Sequence, residues 1–196
     1  STTESLELAR ELSAQYSICT KFINNNGNNL GVAAGNNQGI MSAINDKCQV
    51  IGLINNDLIF DDPDTFHKLL ISLDKADLVS PKIMAHPSGD VWFEEGWFNL
   101  SRGTTPHTLI KNTNAIPYAP TCFLFCNASL IKEVGMMDEW YFAYFDDSDF
   151  VFRAYKAGYP VSFNKDVIIE HKVSSSTGGG YSDFGVYYGN RNRIYF

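Results

Sequence analysis

The stretch "VIGLINND", residues 50–57, joins a continuous apolar run to three polar side chains. The run at 50–54 is rich in β-branched residues, as expected of a strand that is buried on both faces of a parallel sheet. In an open α/β sheet, the ligand crevice lies outside the carboxyl ends of the strands. Asn55, Asn56 and Asp57 come at such an end and are candidate ligand-binding residues, although a turn that simply closes the strand is the commoner explanation of three such residues.

Patterns of helix and strand alternate on both sides of this run. The helical segments carry apolar side chains at helical spacing, with Pro63 near the start of one of them, and the strand segments are short and continuous. Helices are expected at 5–13, 32–44 and 62–73, strands at 20–23, 50–54 and 77–83, a strand and then a helix within 121–135, and a helix and then a strand within 149–163. This alternation predicts an α/β fold.

Between residues 86 and 120 the alternation stops. The segment contains short strand fragments and turns but no clear helix. A stretch of this length inside a compact domain is more often functional than a plain connection. We therefore expect it to contribute to the function of the protein.

Length, composition and charge narrow the possible classes of function. The chain has 196 residues, of which 44% are hydrophobic and 14% aromatic, which favours one folded domain and excludes a disordered chain. Its formal net charge of -7 argues against nucleic acid as a partner, because binding to phosphate backbones needs a basic surface. An anionic substrate would need local help, such as a metal ion.

The cysteines and the apolar runs bear on the cellular compartment. Cys19, Cys48, Cys122 and Cys126 lack disulfide or zinc spacing, so we interpret them as reduced core thiols, which fits the cytoplasm. The longest apolar runs, such as "CFLFC" at 122–126, are far shorter than the ~20 residues that cross a bilayer. No signal peptide opens the chain. The sequence therefore predicts a soluble piece without a transmembrane segment.

The stretch "DEWYFAYFDDSDFVFRAYKAGY", residues 138–159, places three acids directly after a group of aromatic residues. A helix that begins near Asp146 would favour carboxylates in its first turn, and Asp149 has i,i+4 spacing to Arg153. That account leaves Asp146 and Asp147 unexplained, because burying two adjacent acids behind an aromatic run is costly. A carboxylate at the rim of an apolar cleft suits a general base. Both interpretations of this pair stay open at this point.

Three further features toward the end of the chain could bind a ligand. His171 follows a strand and precedes a Ser/Gly-rich loop, so it is either a metal ligand or an ordinary histidine at a strand end. The "TGGG" run at 177–180 lacks the lysine of a phosphate-binding loop and is more typical of a lid or linker. Arg191 and Arg193 are either phosphate contacts or part of a solvated helix face.

Taken in order, these stretches resemble the family 2 glycosyltransferases of the GT-A fold, especially the bacterial rhamnosyltransferase-like branch. The resemblance is carried by "NNLGVAAGNNQG", "LINND", "PTCFLF", "GMMDEWYFAYFDDSDFVFRAYKAG" and "HKVSS", and it runs along nearly the whole chain. It implies a Rossmann-like, mostly parallel central sheet flanked by helices. It also implies a metal-dependent, inverting hexosyltransferase that moves a sugar from a UDP- or dTDP-linked donor to a glycan or lipid-linked acceptor in cell-surface polysaccharide synthesis.

The resemblance assigns a donor side to the site. Asn55 and Asp57 occupy the position of the family's DxD motif, which implies that Asp57 binds the Mg2+ or Mn2+ ion that bridges the diphosphate of the donor. His171 matches a histidine that completes the metal shell in several members. Asn37 falls where the family contacts the nucleotide sugar.

The resemblance also assigns an acceptor side. Asp147 matches the general base that deprotonates the hydroxyl group of the acceptor. Asp146 replaces the usual Glu beside it and is expected to help position the acceptor.

Further acceptor contacts are implied by "WFEEGWF" at 92–98 and by "PTCFLF". Trp92, Glu95 and Gly96 fall where relatives often have a Gly-Gly pair beside the acceptor, and Glu95 replaces the first glycine. Thr121 lies in the second segment, where Cys122 replaces the usual Gly.

The ends of the chain depart from the family pattern. Members begin with a nucleotide-binding strand of the "SIIIVTYN" kind and a "DNxSxD" turn, and this chain starts at or just after that turn. It also stops at a helix beyond which relatives continue. We therefore expect residues 1–196 to be a single but partial GT-A domain that lacks the first strand and a C-terminal extension.

Two other functions remain open at this stage. A glycoside hydrolase also uses two carboxylates but needs neither metal nor nucleotide. A noncatalytic domain that binds sugar nucleotides or carbohydrates would fit the altered "EEG" and "TCF" segments. For the transferase we expect a cytoplasmic protein, at the inner face of the membrane if its acceptor is lipid-linked.

Overall fold

The computed structural model describes residues 3–110, 112, 114–172 and 182–196. The "TGGG" run and all but the first two residues of "HKVSS" lie outside the described residues. The helices are α1 (Thr3–Gln15), α2 (Val32–Asn45), α3 (Thr65–Leu73), α4 (Ala128–Val134), α5 (Asp146–Lys156) and α6 (Asp183–Tyr195). The strands are β1 (Val50–Ile54), β2 (Leu58–Ile59), β3 (Leu78–Ala85), β4 (Val91–Phe93), β5 (Gly96–Trp97), β6 (Pro117–Tyr118), β7 (Phe123–Asn127) and β8 (Ser162–His171).

Six strands form the main sheet in the order β1-β7-β3-β8-β2, and β4 pairs with β3 outside this order. Only β3 and β8 pair in parallel, whereas the other neighbours pair antiparallel. Because β7 runs antiparallel between β1 and β3, the strands β1, β3 and β8 share one direction. The prediction of an α/β fold with a central sheet flanked by helices is confirmed. The pairing is mixed, since β2, β4 and β7 enter the sheet in the opposite direction.

The core lies between this sheet and the helices packed on it. Helix α3 packs against β3, β7 and β8, while α2 packs against β1 and α4 against β7 and α5. Strands β3 and β7 lie at the centre of the sheet, where the first four residues of each are buried, as expected of strands that are covered on both faces. In β1, Ile51 and Leu53 are buried but Gly52 and Ile54 are exposed. The expectation that this strand is buried on both faces is therefore wrong, because β1 alternates and its only partner in the described sheet is β7.

Two strand ends meet at the edge of the sheet that carries the candidate site. Strand β2 pairs antiparallel with the end of β8, with Leu58 opposite His171. The backbone N–H of Lys172 donates to the carbonyl of Asp57 at 3.0 Å. This pairing brings the "NND" turn after β1 beside the end of β8, although more than a hundred residues separate them in the chain.

A second, two-stranded sheet forms within the long segment before β7. Gly96 in β5 pairs with Tyr118 in β6. A Cβ atom at position 96 would lie 2.9 Å from both Cδ1 and the carbonyl oxygen of Tyr118, closer than real contacts allow. Gly96 therefore permits the close approach that fixes the backbone of Tyr118.

The segment that leads into α5 is strained and is held from two sides. Tyr144 and Phe145 have φ of 62° and 67°, in the left-handed region that aromatic residues rarely adopt. Asn192 in α6 is fully buried, and its amide donates to the carbonyl oxygens of Ala143 and Tyr144 at 2.8 Å each. From α2, the N–H of Val32 donates to Phe142. The first turn of α5 therefore begins at a tightly fixed point.

Some local expectations differ from the structure. The segment 20–23 forms no strand and is exposed, since a strand needs a neighbour for its backbone hydrogen bonds. Cys122 and Cys126 are buried thiols as expected, but Cys19 and Cys48 are exposed and are not core residues. Among the described residues, no helix is both long and apolar enough to span a bilayer.

Candidate active site

Asp57 and His171 lie together at the edge of the main sheet. Oδ1 of Asp57 is 3.2 Å from Nε2 of His171. The imidazole is buried, and its Nδ1 has no hydrogen-bond partner among the described residues. The antiparallel pairing of β2 with β8 sets this contact. It makes direct neighbours of two residues that are far apart in the sequence.

The chemistry of these two groups fits a divalent cation that a substrate also binds. A carboxylate oxygen suits Mg2+ and Mn2+, and an imidazole nitrogen is a common ligand of transition metals. In the described part of the chain, no group of three or more His, Cys, Asp or Glu side chains forms a complete metal cage. An ion at Asp57 and His171 would therefore take its remaining ligands from water and phosphate, as Mg2+ commonly does.

A row of ring side chains connects this pair to Asp147. The indole of Trp92 lies 5.1 Å from the ring of His171 and 4.9 Å from the ring of His107. The ring of His107 stacks on Tyr118 at 5.8 Å with an interplanar angle of 21°. The Tyr118 hydroxyl donates to Oδ2 of Asp147 at 2.5 Å. The donor-side and acceptor-side candidates thus border one continuous wall.

A buried thiol gives a second link between the two carboxylates. Burial is the main cause that raises the pKa of Cys122, and the charges of Asp147 and Asp57 raise it further. The carbonyl of Cys122 also accepts the N–H of the exposed Asn55 at 2.8 Å, which ties the end of β1 to the start of β7. Cys122 therefore lies within electrostatic reach of Asp57 and Asp147.

Asp147 lines a cleft of about 410 Å3 together with Thr105, Tyr118 and one face of α6. Its Oδ1 accepts the N–H of Ser148 at 2.6 Å and the Ser148 hydroxyl at 3.3 Å. Burial raises the pKa of Asp147 above its usual range, while the hydrogen bonds from Tyr118 and Ser148 act in the opposite direction. The carboxylate is thus partly desolvated and well bonded, as expected of a general base.

Asp146 has different surroundings from its neighbour. Its side chain is only 5% exposed and is not among the residues that line the cleft. Burial, followed by the negative charge of Asp147, raises its pKa well above the usual range. Asp149 pairs with Arg153 at i,i+4 spacing, as the sequence predicts, with 2.8 Å between Oδ2 and Nε. Of the three acids, Asp147 is the one at the cleft.

The other residues implied by the resemblance have mixed positions. Asn37 is buried, and its amide bonds to the backbone of Met137 in both directions and donates to Glu139. Thr121 is also buried. Burial acts to raise the pKa of Glu95, but its ion pair with Lys165 and the hydrogen bond that it accepts from the N–H of Ile110 at 2.7 Å lower it overall. The assignment of these side chains to substrates stays a prediction. Asn37 and Glu95 already bond to other parts of the protein.

The two tail arginines differ in their contacts. Arg191 donates to the carbonyl of Trp140 and lies over its indole ring at 4.9 Å, so it supports the segment before α5. Arg193 is exposed and lines the cleft that contains Asp147.

His107, Tyr118 and Asn192 are parts of the site that sequence reasoning missed. The first two lie in the segment 86–120, whose length indicated function, but nothing in the sequence shows which of its side chains face Asp147. A larger cavity of about 680 Å3, formed by 97–101 and residues of 108–116, includes none of the candidate carboxylates.

Comparisons with known proteins concern the family and the fold of the chain. The sequence model of the family described as "Glycosyl transferase family 2" matches residues 1–135, which include Asp57 but end before Asp147. The solved structure "Crystal structure of GalNAc-T7 with UDP, GalNAc and Mn2+" has a TM-score of 0.67 and 11% sequence identity, over 100% of this chain and 44% of that chain. At this identity the likeness shows the fold alone, and the chain spans less than half the length of that protein. Comparison with curated protein sequences gives no match.

Proposed function

Since the chain belongs to glycosyl transferase family 2, we propose that it is an inverting transferase that moves a sugar from a UDP- or dTDP-linked donor to a glycan or lipid-linked acceptor. A role in cell-surface polysaccharide synthesis, as in rhamnosyltransferase-like relatives, is part of this proposal. We also propose that residues 1–196 work as one GT-A domain. The likeness to a structure that contains UDP and Mn2+ supports a nucleotide-sugar donor.

One observation carries the proposal. A carboxylate–imidazole pair suited to a cation and a separate, well-bonded carboxylate at a cleft border the same row of side chains. Sugar transfer from a nucleoside diphosphate needs both functions, one for the leaving group and one for the attacking hydroxyl.

On the donor side, Asp57 and His171 would hold Mg2+ or Mn2+, which when bound supplies positive charge to stabilise the leaving diphosphate. Asn55 at the end of β1 is exposed next to this position and is available to the donor. The row that begins at Trp92 forms the wall from this side to the acceptor side.

On the acceptor side, Asp147 takes the proton of the acceptor hydroxyl. The acceptor oxygen forms a bond to the anomeric carbon while the bond from that carbon to the diphosphate oxygen breaks. The nucleoside diphosphate leaves with the electron pair of the broken bond. Because attack comes from the face opposite to the leaving group, the anomeric configuration is inverted. Burial of Asp147 raises its basicity, which suits proton transfer near neutral pH.

The structure gives no support to a hydrolase that uses Asp146 and Asp147 as its acid and base. Such enzymes present two carboxylates to one substrate, at separations of about 5 Å or more. Here Asp146 is buried and only Asp147 lines the cleft.

The proposal is tested by thermal unfolding with UDP, dTDP and GDP, each with and without Mn2+. A ligand at about 100 times its Kd adds roughly 2.7 kcal/mol, and a domain of this size gains about 2–4 °C per kcal/mol, so we expect a rise in Tm of roughly 5–10 °C. The rise should require Mn2+ and should disappear in Asp57→Ala. The matched control is Asp74→Ala, because Asp74 is an exposed acid after α3, at the other end of the parallel strands.

Turnover separates a transferase from a binding domain. In Asp147→Asn we expect nucleotide binding to persist while release of nucleoside diphosphate from UDP- and dTDP-sugars falls by about 10²- to 10⁴-fold, the usual contribution of a general base. Metal-independent binding, or a shift that survives Asp57→Ala but not Asp74→Ala, would contradict the donor site. Binding without any turnover in the unaltered protein would favour the noncatalytic domain.

A further inference from the structure

The hydroxyl of Tyr118 holds one oxygen of Asp147, and the ring that carries it is immobilised. Tyr118 is 3% exposed and packs against Phe98 at 5.4 Å, Phe93 at 6.5 Å and His107 at 5.8 Å. The missing side chain of Gly96 allows the strand pairing that fixes its backbone. A phenol held in this way has little freedom to leave the carboxylate.

The bonds to Asp147 are unequally divided between its two oxygens. Oδ1 accepts two donors from Ser148, whereas Oδ2 accepts Tyr118. A carboxylate offers about four acceptor positions, two on each oxygen. Among the described residues, the remaining position is therefore on Oδ2, next to the Tyr118 hydroxyl.

Building on the function proposed above, we propose that Tyr118 is a positioning residue for Asp147 that fixes the plane of the carboxylate and leaves Oδ2 as the atom that takes the proton of the acceptor. Ser148 holds the opposite oxygen, so the carboxylate cannot rotate to exchange the two. The acceptor hydroxyl then approaches from the cleft, beside the phenol.

The other titratable groups near Asp147 do not replace this contact. Burial and the charge of Asp147 raise the pKa of Asp146 well above its usual range, and the buried Cys122 thiol is neutral because burial raises its pKa. Burial lowers the pKa of His107, while the charge of Asp147 acts in the opposite direction, and His107 in turn helps to lower the pKa of Asp147 without bonding to it directly. Arg193 lines the same cleft but makes no ion pair with Asp147 within 4.0 Å among the described residues. Tyr118 and Ser148 therefore supply the direct bonds that favour the ionised base.

The test compares Tyr118→Phe with Tyr159→Phe. The control removes the same hydroxyl from a tyrosine that also bonds to a carboxylate, Glu133, at 2.7 Å on an exposed surface away from the cleft. The 13C resonance of the Asp147 carboxyl, assigned with Asp147→Asn, is followed through a pH titration. We expect its midpoint to move to higher pH in Tyr118→Phe and to stay unchanged in the control.

Turnover gives the readout that a purely structural role would not move. Release of nucleoside diphosphate is measured against pH with the UDP- or dTDP-sugar that the protein binds. In Tyr118→Phe the acid limb of the profile should move to higher pH, with activity on that limb lower by roughly tenfold, as expected for the loss of a hydrogen bond to a charged group. Tyr159→Phe should retain the profile of the unaltered protein.

Folding of the variant does not limit the test, because phenylalanine keeps the packed ring. If Tyr118→Phe should unfold, the 13Cζ resonances of labelled tyrosine in the unaltered protein provide a second measurement. We expect one of these resonances to follow the titration of Asp147. The same resonance should no longer do so in Asp147→Asn. An unchanged Asp147 midpoint, or a shifted midpoint with an unchanged acid limb, would overturn the proposal. Absence of nucleotide binding would instead refute the transferase function, and the carboxyl titration would still decide whether the phenol controls Asp147.

Discussion

Asp146 and Asp147 are adjacent in sequence but differ in what surrounds them. Asp147 reaches a cleft and receives bonds from Tyr118 and Ser148, whereas Asp146 is buried and carries a pKa raised by burial and by its neighbour. The sequence shows two equivalent acids before a helix. Their different roles follow from which side of the first turn of α5 each one occupies.

We expect Asp146→Asn to stabilise the protein in a pH-dependent way. The folded state holds the proton of Asp146 to a higher pH than the unfolded chain, whose carboxyl titrates near pH 3.9. Stability of the unaltered protein therefore falls as pH rises above that value, toward the raised pKa of the folded state. Asp146→Asn lacks this loss of stability because asparagine does not ionise. At pH 7 a gain of about 1 kcal/mol would raise Tm by about 2–4 °C.

The measurement is a series of melting curves at pH values from about 3.5 to about 8. This range starts near the pKa of Asp in the unfolded chain and extends well above it. The gain should vanish at the lowest pH, where both states are protonated. Asp90→Asn is the control, because Asp90 is exposed in the turn between β3 and β4. A gain that is the same at every pH would show that Asp146 is not a buried acid with a raised pKa.

At the scale of elements, α6 controls the start of α5. Asn192 bonds to two carbonyl oxygens of the strained turn, so α6 holds in place the backbone that carries Asp147. Strain of this kind persists only where surrounding structure enforces it. Helix α6 therefore contributes to the candidate site, even though the family match ends at residue 135.

We expect Asn192→Ala to destabilise the protein by about 1–3 kcal/mol, because one buried and one partly buried carbonyl group would lose their partner. Melting curves should show a lower Tm, and nucleoside diphosphate release should fall because Asp147 is no longer fixed. Ile194→Ala is the matched control, since Ile194 is an 87% exposed residue of the same helix and is not among the residues that line the cleft. Equal effects of the two substitutions would mean that α6 does not hold the turn.

The type of most elements was predictable, while their partners were not. Helix α3 and strand β3 follow from local apolar periodicity, and α5 begins within one residue of the expected position. The strand expected at 20–23 failed because local composition does not supply a neighbouring strand. Tyr118 escaped notice for the same reason, since its bond to Asp147 spans 29 residues and depends on the pairing of β5 with β6.

At the scale of the whole molecule, burial is uneven. Strands β3 and β7 form the centre of the sheet, whereas α1 has no buried residue among those whose side chains are described. In amphipathic helices, packing of one face usually supplies most of the stability. Helix α1 therefore has little tertiary support within this chain.

Hydrogen exchange should show this difference directly. Amides of α1 should exchange by local opening at a free energy near zero, and those of β3 and β7 only with global unfolding, at roughly 5–15 kcal/mol. Helix α3 is the control, because it has 9 residues against 13 in α1 but packs on the sheet. Exchange of α1 as slow as that of α3 would contradict the prediction.

The α/β architecture could be inferred because the alternation of helical and strand patterns along the sequence does not depend on the order of the strands in the sheet. The candidate active site could be inferred only as separate stretches, since residues 57, 92, 118, 147 and 171 come together through the mixed strand order and the second sheet. The resemblance to a family supplied the idea that they belong together. The specific contacts came from the three-dimensional structure.

Trp92 makes the junction between the two halves of the site visible to fluorescence. Of the three tryptophans, Trp92 is the one whose ring contacts histidines, His107 on one side and His171 on the other, in the described part of the chain. Its emission therefore reports on the junction between the two halves of the candidate site.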